Sequence, residues 1–391
     1  MGNGVISFRL RRSGLLDALK GVGLLGLLIV DYTQHYLYPI YPSLEGYSPI
    51  FKMLDHGVHD LVLALFELKM FGLFVLLFGV SFYYQYGRQK EKNSSFWQVY
   101  AWRLQMLAVI GLVAALFNPD GGGLIVLALL GLVLLSVRRF SRKTVLTLAI
   151  VFAAQPLTWI LLFLSFFGLP FNPFRADYSE MSVRISHNAL DGDWSTYFVN
   201  NLLFGVQSNI YVLLTNGIYS IVIAVLLFGY WLGREGLLST NEYRREWWVK
   251  SVQLSISAAI VFGFASYNLR IFADGDMILT HLSDLLKNWA DMSIMMSIVS
   301  AFVLLYRSGK HPSVSSLFRT YGRMSLTNYF LQSLIGVFIF LPIGLSMAKY
   351  CGTLVSLLIA GVVFLVQIRL SRWWQTRFMR GPAEYLLHKL T

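Results

Sequence analysis

Residues 16–31 read LDALKGVGLLGLLIVD, and this stretch decides the fold. It carries only three ionisable side chains, Asp17, Lys20 and Asp31, among Leu, Gly, Ala, Val and Ile. Arg9, Arg11 and Arg12 precede it, as basic residues precede a secretory leader. The apolar run nevertheless holds Asp17 and Lys20, continues past leader length and lacks a small-residue cleavage site. The reading is a retained first membrane span over residues 15–37, since about 20 mostly apolar residues cross the hydrocarbon.

The rest of the chain agrees with that reading. Of 391 residues, 56% are hydrophobic and 13% are charged, whereas a soluble domain carries about 25% charged residues. Further apolar runs lie near 61–86, 97–117, 121–137, 144–168, 209–233, 249–268, 285–306, 326–348 and 351–370. The expected fold is an all-α, polytopic bundle of about ten spans, with no clear internal repeat. With the N-terminus placed inside, the cytoplasmic segments hold 23 Lys and Arg and the outer segments hold 6. That bias puts both termini in the cytoplasm. It also explains the net charge of +12 without nucleic acid, because the basic residues edge turns and tails and form no single patch.

The expected organisation is one transmembrane domain over residues 1–370, with outer loops at 38–60 and 169–208. The second loop carries Asp177, Glu180, Arg184, His187, Asp191 and Asp193, and Trp194, Tyr197 and Phe198 suit an interfacial helix. Residues 371–391 mix aromatic and basic side chains, including Trp373, Trp374, Arg377, Phe378 and Arg380. They read either as a helix on the anionic inner leaflet or as a simple anchor. The single Cys351 excludes an internal disulfide.

Ionisable residues inside spans are the first candidates for function. Lys20 and Asp31, eleven residues apart, differ by about 20° around a helix, so they share one face. Asp17 and His35 flank them. This polar stripe is either a network that locks helices together or the lining of a cavity for a polar head group. Glu67 and Lys69 point to different sides of the second span, and Lys69 is expected to pair with Asp17 or Asp31. Arg103 lies two turns into the third span, where it either snorkels or binds. His35 and His59 are the candidate general bases, because the unperturbed pKa of histidine suits that role. His56 and His59 form an i, i+3 pair beside Asp55 and Asp60, a weak metal signal, and no metal is assigned. No Ser/His/Asp spacing, P-loop or nucleotide fingerprint appears.

Five stretches carry a family resemblance: residues 16–31, KMFGLFVLLFGVSF at 69–82, LFGYWLGREGLL at 227–238, GRMSLTNYFLQSL at 322–334, and WWQTRFMRGPAEYLLHKLT at 373–391. Together they resemble the YeiB-like family of bacterial membrane proteins, across essentially the whole chain. That family is similar in turn to the transmembrane acyl transferases. The resemblance implies a multi-pass protein of the bacterial cytoplasmic membrane that moves an acyl group from acyl-CoA to an envelope glycan or other hydroxylated acceptor. The ionisable residues read from the spans supply the candidates for this chemistry, Asp17, Lys20, Glu67, Lys69 and Arg103 for binding and His35, His59 and Asp31 for catalysis, and the resemblance itself carries only Lys20 and Asp31. Lys20 and Asp31 stand where the family has Arg and Asn. In GLVAALFNPDGGGL, residues 111–124, the family's His position falls on Ala114 and its Asp position on Gly122. Acid/base chemistry here therefore needs Asp120 or another His. Two further readings of the same cavity are a transporter or flippase of a small anion or lipid, and a ligand-binding protein without turnover. The expected partners are the lipid bilayer, acyl-CoA, an envelope glycan or lipid, and a second copy in a homodimer.

Overall fold

The computed structural model describes residues 14–37, 46–91, 96–118, 122–167, 194–215, 217–239, 244–273, 276–342 and 344–389. Every regular element among them is helical. Residues 38–45 and 168–193, and with them His187, lie outside the described residues, as does Asp120.

Helix α1 (Gly14–Val30) continues as a π turn, Asp31–His35. Helix α2 (Pro49–Leu65) is followed by α3 (Lys69–Glu91), α4 (Phe96–Phe117) and α5 (Gly123–Val137). Helices α6 (Arg142–Ala153) and α7 (Pro156–Phe166) form one bent run. Then come α8 (Trp194–Asn200), a second π turn at Asn201–Gly205, α9 (Val206–Thr215) and α10 (Ile218–Glu235). The chain ends with α11 (Arg245–Phe272), α12 (Met277–Ser308), α13 (Pro312–Arg323), α14 (Ser325–Phe340), α15 (Thr353–Arg377) and α16 (Pro382–Lys389). Among the described residues, seven helical runs are long and apolar enough to cross a bilayer: Pro49–Gly87, Trp97–Phe117, Arg142–Leu164, Ile218–Glu235, Arg245–Phe272, Ile278–Ser308 and Thr353–Arg377. Helices α5 and α14 are shorter and apolar. With α1 they fall on the stretches chosen by hydrophobicity.

The differences from the sequence reading have local causes. Residues 49–60, read as loop, are helical, because the Ser48 hydroxyl accepts from Phe51 N at 3.2 Å and Pro49 opens the helix. The second span is broken at Phe66–Leu68, where Leu68 adopts φ 58°. The fifth bends at Gln155, φ 55°, just before Pro156. Gly217, φ 69°, divides the sixth. The last long helix runs without a break through position 370 to Arg377. Residues 194–200 are helical as expected, and Tyr197 packs inward, its hydroxyl donating to Phe117 O at 3.3 Å.

Glycine sets the two closest helix crossings. A Cβ on Gly21 would strike Phe318 O, and one on Gly322 would strike Asp17 O, so α1 and α13 touch backbone to backbone. Gly79 and Gly229 do the same for α3 and α10, against Leu226 O and Leu76 O. Lipid gives helices no hydrophobic reason to associate, so close backbone packing over small residues holds them together.

Two helices borrow their N-terminal caps. The N-cap residues of α14 and α15, Met324 and Gly352, make no side-chain cap bond. Glu384 on α16 accepts from Leu326 N at 2.7 Å and from Thr327 N at 3.2 Å. Asp55 on α2, fully buried, accepts from Leu354 N at 2.8 Å. Each carboxylate satisfies orphan amides and meets the positive end of a helix.

Gly229→Val should lower the thermal midpoint of the purified protein in detergent, costing about 1–3 kcal/mol or more from overpacking. Gly361→Ala, where a Cβ meets nothing within 4 Å, should be neutral or stabilising by up to about 1 kcal/mol. Equal effects at the two positions would contradict the glycine-crossing account.

Candidate functional site

Two of the polar centres among the described helices hold a buried ion pair or acid–histidine pair. The first is built where α1 passes into its π turn. Tyr36 N bonds Asp31 O at 3.0 Å, an i to i+5 bond that widens the turn. Asp31 is 3% exposed. His35 Nδ1 lies 2.9 Å from Asp31 Oδ1. An ionised carboxylate can only accept, so with Asp31 as carboxylate the proton of this bond sits on His35 Nδ1. Gln332 on α14, fully buried, donates from Nε2 to Asp31 Oδ2 at 3.3 Å. The Tyr32 hydroxyl donates to Gln332 O at 2.9 Å. Gln332 Oε1 has no hydrogen-bond partner among the described residues. Next to this group, Gln34 Nε2 donates to His59 Nδ1 at 3.3 Å, which ties α2 to the end of α1.

The base of this centre is held by α4. The Tyr36 hydroxyl donates to Ser333 O at 3.1 Å and to Phe117 O at 3.3 Å. Asn201 Nδ2 donates to Leu116 O at 3.3 Å. The C-terminal carbonyls of α4, which lack helical partners of their own, are thus satisfied from α1, α8 and the second π turn.

The second centre is at the break between α2 and α3. Lys69 is 3% exposed and its Nζ lies 2.7 Å from Asp291 Oδ1 on α12. The same ammonium donates to Leu63 O at 3.0 Å, capping the C-terminus of α2. Lys287, one turn before Asp291, donates to its other oxygen at 3.3 Å. The acidic neighbours of Lys287 also include Glu67 and Asp284. Asn288 Nδ2 donates to Gln155 Oε1 at 2.8 Å, and Gln155 Nε2 to Leu285 O at 3.0 Å, so the bend between α6 and α7 is fastened to α12. A cavity of about 40 Å³ lies here, lined by Lys69, Gly72, Asn288, Asp291, Met292 and Met295 among others.

The sequence-derived candidates therefore divide. Asp31 and His35 come together, and His59 joins their rim through Gln34. The expected pairing of Lys69 with Asp17 or Asp31 is replaced by Lys69 with Asp291, because Lys69 opens α3 on the side that faces α12. Glu67 lies half-buried at the break beside Leu68. Asp17 is buried, with its carbonyl against Gly322. Lys20 is half-buried one residue before the Gly21 crossing, and Arg103 is half-buried on α4 near Tyr100. His56 turns back to Lys52 O at 2.8 Å, away from any pairing with His59. Among the described residues, no group of three or more His, Cys, Asp and Glu is placed to hold a metal. Asp291, Lys287, Gln332 and Gln155 were not singled out from the sequence. Asp291 carried the missed signal, an acid inside an apolar run.

The fold defines a polytopic, all-helical membrane protein, and the comparisons place its C-terminal part. Residues 232–391 match the family described as "Protein of unknown function (DUF418)". The chain is 26% identical over 399 residues to "Uncharacterized protein YxaH" of Bacillus subtilis (strain 168), covering 97% of this chain and 94% of that protein. It is 30% identical over 164 residues to "Uncharacterized 39.9 kDa protein in amylase 3'region" of Bacillus acidopullulyticus, covering 39% of this chain and 45% of that protein. No solved structure matches. The matched segment contains Gln332, Asp291 and the Glu384 cap, whereas Asp31, His35 and Lys69 precede it.

Lys69→Met alone should destabilise the protein, by less than the about 3–5 kcal/mol of a wholly unpaired buried charge, because Lys287 still pairs with Asp291. Adding Asp291→Asn should restore part of that loss. A double-mutant cycle on thermal midpoints checks the coupling, and strict additivity would argue against the pair.

Proposed function

We propose that this chain is a YeiB-like membrane acyltransferase of the bacterial cytoplasmic membrane. It would move an acyl group from acyl-CoA onto a hydroxyl of an envelope glycan or lipid. The observation that carries the reading is the Asp31–His35 dyad at 2.9 Å, with Gln332 fixing the second carboxylate oxygen. A carboxylate that holds a histidine by Nδ1 sets the tautomer and orients Nε2 as a base, the arrangement that activates hydroxyl nucleophiles on unrelated folds.

In this reading His35 Nε2 takes the proton of the acceptor hydroxyl. The freed oxygen attacks the thioester carbonyl, the carbon–sulfur bond breaks, and the proton passes to the departing thiolate. Lys20 and Arg103 would hold donor phosphates from the cytoplasmic side, with both termini on that side. The position of the dyad favours a substitute for the missing family histidine. Tyr36 follows His35 directly and bonds Phe117 O, three residues beyond Ala114 on α4. The π turn that carries His35 is thus anchored, through Tyr36, to the end of the helix on which the resemblance puts a histidine.

Ala114 itself is fully buried and cannot carry a proton. That favours, as the second reading, a protein that binds the donor without turnover.

The test incubates purified full-length protein with labelled acetyl-CoA and a crude envelope glycan fraction. Transfer of label is expected, falling about 10²- to 10⁴-fold in His35→Gln. Stabilisation by CoA without transfer would favour the second reading. Neither transfer nor stabilisation would remove both.

A further inference from the structure

The C-terminal motif explains itself only in part as a cap for α14. Residues 369–391 contain five Lys and Arg, namely Arg369, Arg372, Arg377, Arg380 and Lys389, and one acid, Glu384. All five cations are exposed. Glu384 is not available to neutralise them. Its Oε1 accepts from Leu326 N and Thr327 N, and its Oε2 accepts from the Thr327 hydroxyl at 2.5 Å. Ala383 N in turn donates to Thr327 Oγ1 at 3.1 Å. Committing this carboxylate to a helix N-terminus leaves the exposed charged side chains among the described residues 369–389 all cationic.

The apolar side chains of the segment are exposed with the cations. Met379 is 87% exposed, and Trp373, Phe378, Tyr385 and Leu386 are each half exposed or more. They are held in shape. Trp374 Nε1 donates to Arg380 O at 2.8 Å, Gln375 Nε2 donates to Thr320 O at 2.7 Å, and the Arg377 guanidinium lies 4.8 Å from the Trp373 ring centre. Aromatic and aliphatic side chains beside exposed arginines, at the end of a spanning helix, match the headgroup layer of a bilayer. Charge complementarity selects the anionic lipids of that layer.

We propose that the elbow formed by the end of α15 and by α16 is a docking surface for anionic phospholipid headgroups, latched to α14 through Glu384. The latch reaches the first polar centre. Gln332, which bonds Asp31, lies six residues beyond Leu326, or about 9 Å along α14 at a rise of about 1.5 Å per residue. Lipid held at the elbow therefore fixes the helix that positions the carboxylate. The docking surface itself does not depend on the acyl-transfer reading.

The test uses the full-length protein with Met379→Cys carrying an environment-sensitive dye. Cys351 is buried, and Cys351→Ser removes it as a second labelling site. The labelled protein is reconstituted in vesicles of phosphatidylcholine alone or with increasing phosphatidylglycerol. The dye should shift to the blue with phosphatidylglycerol, and the shift should shrink in high salt. Each of Arg377→Gln and Arg380→Gln should weaken the apparent lipid preference about fivefold. These exposed substitutions leave the fold intact, and an unchanged thermal midpoint in phosphatidylcholine checks this. Glu384→Gln should keep the dye response but remove the rise in thermal midpoint that phosphatidylglycerol gives the parent protein. An identical response in both vesicle types, one insensitive to the arginine changes, or one reproduced by soluble glycerol phosphate would overturn the proposal.

Discussion

Inside a bilayer each amide, carbonyl and charge has to find its partner within the protein, because lipid offers none. The borrowed caps and the Lys69–Asp291 pair are this chain's answers to that constraint. Asp55 closes the N-terminus of α15, Glu384 closes that of α14, and Lys69 closes the C-terminus of α2 while paired with Asp291. In each case a charged side chain and a helix end satisfy one another. Apart from the bond of Lys69 to Leu63 O, these contacts join residues far apart in the chain, 299 positions for Asp55 and Leu354. They therefore fix which helices are neighbours.

Glycine then sets how near those neighbours come. At Gly21 with Gly322, and at Gly79 with Gly229, the helices meet backbone to backbone. Four of the five stretches that carry the family resemblance contain one of these glycines, and the fifth contains Glu384. The two C-terminal stretches are the halves of a single contact, since Glu384 of one caps Leu326 and Thr327 of the other. Much of what makes the motifs recognisable is thus assembly chemistry. The polar centre at Asp31 uses the same parts, because Gln332 lies on the helix that Glu384 caps.

The spans were legible because a long apolar run has few alternatives to a membrane helix. The Lys20, Asp31 and His35 side of α1 was legible in part, because angular spacing along one helix is a local property. Asp31 and His35 are four residues apart, and helical geometry alone brings them into reach. The partner of Lys69 was not legible. Asp17, Asp31 and Asp291 are all acids within apolar runs, and choosing among them requires knowing that α3 and α12 are adjacent. The interruption of the second span was legible at Glu67 and Lys69, on either side of Leu68, whereas the bend at Gln155 escaped, because its side chain is held by Leu285 O and Asn288 on a helix far away in the chain.

The sequence by itself determined that this is a helical membrane protein and where its apolar helices lie. Hydrophobic run length and charge placement are one-dimensional properties, and the bilayer reads them directly. Only the tertiary structure decided that Asp31 is shared by His35 and Gln332, that Lys69 belongs to Asp291, and that Glu384 faces inward while its basic neighbours face out. Those outcomes depend on which helix ends meet in space, and the packing of glycine against backbone sets this across hundreds of residues.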